Sequence, residues 1–165
     1  TEREWPHLWL SEGFATYLGA LYTEHSRGSA AFRAEMDSVR RIVLAAPVVA
    51  SRPVIDTIET TLMNLLNRNS YEKGGFVLHM LREEIGDEAF FRGARIYQDR
   101  HRHATALTDD LRAAMELGRL RICVPICTMR SGAEPGFCSM SSFSWKKPSE
   151  LIRSFERLTR KLLKA

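Results

Sequence analysis

Between residues 11 and 117 apolar side chains return every three or four positions, in one segment after another, and this period admits helices and little else. Residues 11–26 place Phe14, Tyr17, Leu18, Leu21 and Tyr22 on one stripe, and residues 29–46 repeat it with Phe32, Met36, Val39 and Val43 before Pro47. Residues 48–57, with Pro53 and several β-branched side chains, read as extended or looped, and a short helix follows over 60–66. A helix over 71–85 turns Phe76, Val77, Met80 and Leu81 inward, with Gly86 as its stop. Asp87 is then expected to cap a helix through 101 that buries Phe90, Phe91, Ala94 and Tyr97. Thr108, followed by Asp109 and Asp110, caps a last helix to about residue 117, where acidic groups suit the helix dipole. Strand alternation is absent. The spacing predicts a mainly α body.

The charge divides in two. Residues 1–116 hold fourteen Lys and Arg against seventeen Asp and Glu, whereas residues 117–165 hold ten against three. The net charge of +4 therefore belongs to the C-terminal segment. Cys123, Cys127 and Cys138 also lie there, an odd number that argues against a closed disulfide framework. Residues 118–148 have no clean period and read as an irregular tail. Residues 149–165 recover a terminal amphipathic helix with Leu151, Ile152, Phe155, Leu158, Leu162 and Leu163 on one face and five basic residues elsewhere. The expected division is thus 1–116 and 117–165, the second part reading as an out-of-frame or fused sequence. At 44% hydrophobic and 27% charged residues the composition is that of a globular chain. No apolar run approaches the roughly 18 residues of a membrane span, and nothing assigns a compartment.

The residues that could carry chemistry are few. There is no H-E-x-x-H, no Gly-rich phosphate loop and no Gly-x-Ser-x-Gly elbow in the sequence. By spacing alone Glu12 is a solvent-facing carboxylate at a helix start, and Tyr71 is a half-buried core tyrosine. His101 and His103 stand two apart, which is not the i, i+4 geometry of helix-face chelation, and His7, His25 and His79 are scattered. Cys123 and Cys127 would be half a zinc knuckle lacking its partners.

Residue identity adds more. Leu8-Trp9-Leu10-Ser11-Glu12-Gly13-Phe14-Ala15-Thr16-Tyr17 resembles the segment that carries the third zinc ligand in the gluzincin aminopeptidases, the family of alanyl and puromycin-sensitive aminopeptidases. Asn69-Ser70-Tyr71-Glu72-Lys73-Gly74, then Val77-Leu78-His79-Met80-Leu81, resembles that family's catalytic-tyrosine helix. Gly86-Asp87-Glu88-Ala89-Phe90-Phe91, Leu107-Thr108-Asp109-Asp110-Leu111 and Ala114-Met115-Glu116 continue the likeness in order, so that it covers residues 1–116.

The resemblance implies the helical C-terminal half of a thermolysin-like catalytic domain. In that family two histidines of H-E-x-x-H and a glutamate eighteen residues beyond bind zinc, with water in the fourth position. Carried over, Glu12 is the third ligand, and the second histidine would stand eight residues before Thr1. Tyr71 would donate its hydroxyl to the oxyanion of the tetrahedral intermediate. The implied cofactor is zinc, and the implied substrates are peptides with a free N-terminus. The upstream half of the same domain is an implied partner. Two other classes stay open: a non-catalytic helical remnant or interaction module, and a binder of nucleic acid or anionic membrane acting through the helix 149–165. A solvated basic face is the preferred reading of that helix, with no nucleic-acid partner expected.

Overall fold

The structure, a computed structural model, describes residues 2–120. Gly118 and Arg119, expected in the irregular tail, continue the last helix instead, whereas residues 121–148 of that tail, the terminal amphipathic helix and the three cysteines lie outside the described residues. The body is mainly α, as its periodicity predicts. A 3-10 turn at Trp5–His7 leads into α1 (Trp9–Arg27), α2 (Ser29–Leu44) and α3 (Pro47–Ser51). Then come α4 (Leu62–Leu65), a π-helical turn at Asn69–Lys73, α5 (Gly74–Ile85), α6 (Asp87–His101) and α7 (Thr108–Arg119). The single β-type contact among the described residues is a parallel bridge between Glu2 and Ala106.

Glycine sets two of the corners. Gly28 and Gly86 sit at φ +85° and +83°, a region that costs other residues a Cβ clash. Each ends one helix and begins the next: the Gly28 N–H donates to Glu24 O at 2.9 Å while its own carbonyl accepts from Phe32 N–H at 3.3 Å. Gly86 does the same between Arg82 and Phe90.

The core gathers between α1, α2, α5 and α6. Tyr17 is fully enclosed; the Phe90 ring meets it edge-on at 5.8 Å and Phe32 lies tilted at 6.2 Å. Leu78, Val77, Trp9, Met36 and Val43 complete this layer. The burial pushes the Tyr17 phenol up to about 12. Its hydroxyl nevertheless has polar company, since Arg82 Nη1 and His79 Nδ1 each stand 3.5 Å away. Arg82, itself buried, donates to Glu24 Oε2 at 2.8 Å and to both Asp87 oxygens at 2.8 and 2.9 Å, and its guanidinium faces the Phe32 and Phe91 rings. One side chain thereby joins α1, α5 and α6.

Several expectations are corrected. Residues 47–51 are helical, not extended, because Pro47 occupies a first-turn position where its fixed φ is suitable and no N–H is needed. The inward face of α1 is Trp9, Leu10, Gly13, Tyr17 and Ala20, while Leu18 and Tyr22 are exposed. Asp87 does not cap α6: its carboxylate is taken by Arg82. Nor does Thr108 cap α7 with its own side chain. The Asp110 carboxylate accepts from Leu107 N–H at 2.8 Å, and His7 Nδ1, from the far end of the described chain, accepts from Thr108 N–H at 3.1 Å. The Thr108 hydroxyl lies 2.8 Å from the same nitrogen and accepts from Trp9 Nε1 at 3.0 Å. This pattern assigns the imidazole proton to Nε2.

Candidate functional site

Glu12 lies in the first turn of α1, half-buried, where the unpaired N–H groups favour a carboxylate. Its own carbonyl accepts from the Thr16 hydroxyl at 2.9 Å, a bond that closes the next turn behind it. The neighbouring Ser11 hydroxyl is engaged by the Glu2 carboxylate.

Tyr71 is brought to this place by a helix contact that only glycine permits. A Cβ on Gly74 would stand 3.0 Å from Gly13 Cα and 3.4 Å from the Trp9 carbonyl oxygen, and one on Gly75 would meet the Thr16 methyl at 2.9 Å. The backbones of α1 and α5 therefore touch one residue after Glu12 and three after Tyr71. Beside that contact the Glu12 carboxylate lies near enough to the Tyr71 phenol to act on it. Desolvation raises the Tyr71 phenol, and hydrogen bonding to the Glu12 carboxylate and its charge add to the rise.

Tyr71 does not stand on the regular helix expected over 71–85. It is the middle residue of the π turn, in which Lys73 N–H donates to Arg68 O at 2.9 Å, five residues back. Such turns hold one residue more than an α-turn and re-aim the side chains they carry. Three buried polar residues surround Tyr71 in the chain: Asn69, Ser70 and Lys73. Asn69 Nδ2 donates to Pro53 O at 2.9 Å and Ser70 Oγ to Leu65 O at 2.6 Å. Lys73 Nζ donates to Val49 O at 2.7 Å, to Ala50 O at 3.1 Å and to Arg52 O. Burial draws the Lys73 ammonium down to about 8. Sequence reasoning gave these three residues no role. The signal was a lysine and an asparagine at the head of the apolar run Phe76–Leu78, where a solvated face offers no reason for either.

As a metal holder the described residues fall short of a full set. Among them no three His, Cys, Asp or Glu converge. His79 meets the Phe32 ring edge-on at 5.3 Å, with burial lowering its pKa, and His7 is committed to α7. Glu12 offers a half-buried carboxylate, which fits one place in a tetrahedral zinc set and requires the other ligands from elsewhere.

The sequence profile of the Peptidase family M1 domain matches residues 1–124. Glutamyl aminopeptidase of Homo sapiens is 31% identical over 116 residues, 68% of this chain and 12% of its own length. Glutamyl aminopeptidase of Bos taurus is 34% identical over 119 residues, with the same two shares, 68% and 12%. Aminopeptidase M1 of Arabidopsis thaliana is 30% identical over 117 residues, 69% of this chain and 13% of its own. The chain thus spans about an eighth of the length of these relatives.

Proposed function

This chain belongs to peptidase family M1, and we propose that it carries two working side chains of a zinc aminopeptidase centre. In this reading Glu12 is the third protein ligand of the metal and Tyr71 is the donor to the oxyanion. The observation that carries it is the nearness of the Glu12 carboxylate to the Tyr71 phenol, beside the close Gly13–Gly74 contact of α1 and α5. The names of the relatives support the reaction class, removal of an N-terminal residue from a peptide. The body would then be the helical half of a thermolysin-like domain, and the two histidines and the general base would come from an H-E-x-x-H helix ahead of Thr1.

The chemistry a zinc ion supplies when bound is Lewis acidity toward water and the scissile carbonyl. The chain's own residues do the rest of what is assigned here. Glu12 anchors one coordination position from a helix turn that holds its carbonyl to Thr16. Tyr71 keeps its proton at neutral pH, since its phenol lies above the ordinary value of 10.0, and so remains a donor while negative charge develops on the substrate oxygen. A donor fixed by a buried turn needs no reorganisation when that charge appears.

The test is a chain in which an H-E-x-x-H helix precedes Thr1, assayed on an aminoacyl peptide. Tyr71→Phe lowers kcat by about a hundredfold or more with little change in KM, because the hydroxyl acts only in the transition state. Glu12→Ala first weakens zinc retention. The 165-residue chain alone, with one ligand of three, turns over no peptide.

A further inference from the structure

We propose that Lys73 is a positioning residue: its ammonium, anchored on the carbonyls of Val49, Ala50 and Arg52, holds the π turn that aims the Tyr71 ring at Glu12. The inference rests on the proposed pairing of Tyr71 with Glu12 and adds to it the group that fixes the pairing.

The argument starts from what a buried lysine costs. A methionine would fill the same volume with no charge to desolvate, so what the ammonium adds is direction. Its three acceptors are all main-chain carbonyls, two in the last turn of α3 and one at its end. Those are the groups a helix terminus leaves unpaired, at the negative end of its dipole. The lysine and the end of α3 therefore satisfy each other.

Lys73 is also the residue whose N–H makes the bond to Arg68 O that defines the π register. With that register lost, the α-helical pattern of α5 would extend backward, and residue 71 would rotate by about 100° per residue of slip. Asn69 and Ser70 brace the same turn on Pro53 and Leu65, but both lie on the N-terminal side of Tyr71. On its C-terminal side the Gly13–Gly74 contact sets only how close α1 comes, and Lys73 supplies the side-chain hydrogen bonds that tie the turn to α3.

The test uses the 165-residue chain with 13Cζ-labelled tyrosine, at pH 7. The Tyr71 signal is identified by its loss in Tyr71→Phe. In the native chain Glu12→Gln moves the Tyr71 13Cζ shift, because the carboxylate faces the phenol. In Lys73→Met, with its helical circular dichroism retained, the Tyr71 signal is displaced and Glu12→Gln moves it no further. A stabiliser of the general fold would lower the melting temperature but leave this coupling intact. A folded Lys73→Met chain in which Glu12→Gln still moves Tyr71 by the native amount overturns the proposal and leaves the pairing standing. A native chain in which Glu12→Gln does nothing to Tyr71 overturns the pairing and the proposal together. Should Lys73→Met lose its helical signal, Lys73→Gln, which keeps N–H donors but not their reach, is read in the same way. Loss of the helical signal in both variants also overturns the proposal, since Lys73 would then hold the fold and not the turn.

Discussion

Gly13 and Gly74 meet backbone to backbone: a Cβ on Gly13 would lie 2.7 Å from the Gly74 carbonyl carbon and 2.9 Å from its Cα. No flexible side-chain end is available there to yield, so Gly13→Ala must part α1 from α5. Overpacking of this kind costs about 1–3 kcal/mol, and the backbone partner places it toward the upper end. Gly19, in the same helix, has nothing within 4 Å of its missing Cβ. Gly19→Ala should therefore stabilise by about 0.5–1 kcal/mol through helix propensity. Urea unfolding of the two variants should move in opposite directions, and movement in the same direction would refute the contact.

Arg82 and Asp87 give an acid-sensitive contribution. The hydrogen bonds from Arg82 hold the Asp87 carboxyl below its usual 3.8, an effect that burial opposes. A carboxyl with a lower value in the folded chain stabilises fully above its unfolded value, and that stabilisation is lost as pH falls below 3.8 through the folded one. Asp87 is largely exposed, so salt screens the effect. Asp87→Asn should flatten the fall of stability between pH 5 and pH 3. An unchanged slope in that variant would remove Asp87 as the cause.

His7 acts as a side-chain cap for α7 from 101 residues away. His7→Ala should cost about 1 kcal/mol, the usual loss when a helix N-terminus gives up its acceptor. The loss should be seen in thermal unfolding and in faster amide exchange at Thr108. Protection at Thr108 equal to that of the native chain would count against the cap.

The parts of the fold that were legible in the sequence are those set by neighbours in the chain. α6 runs over Asp87–His101 as its period and Gly86 indicated, because period and stop are local; of the expected inward residues Phe90 is buried, with Ala89 and Gly93, while Phe91, Ala94 and Tyr97 are half-buried. The inward face of α1 departs from its sequence stripe for the opposite reason. Tyr22 and Leu18 share a helical stripe with Tyr17, yet the Gly13–Gly74 contact turns the helix so that they point outward, and the partner glycine is 61 residues distant. The π turn leaves no trace in composition, since one extra residue in a hydrogen-bond register changes no periodicity that a short segment can display. Lys73 reads as an ordinary surface charge until its acceptors, more than twenty residues upstream, are seen beside it. Glu12 and Tyr71 were marked by family likeness, and their spacing alone says nothing of the carboxylate's influence on the phenol.

The proposed ligand set makes a statement about metal. A lone carboxylate competes poorly with water, so the 165-residue chain dialysed against zinc-free buffer should keep well under one zinc per chain. About one tightly held zinc, surviving dialysis and lost on no single Glu12 substitution, would show a different ligand set.

The most direct measurement is the effect of Tyr71→Phe on kcat once an H-E-x-x-H helix stands ahead of Thr1. The substitution keeps the ring and its packing and deletes one hydroxyl. The account predicts a fall in kcat of about a hundredfold or more at nearly constant KM, with zinc content and melting temperature unchanged. An unchanged kcat, with at most about 1 kcal/mol lost from stability, would contradict it and return Tyr71 to the core.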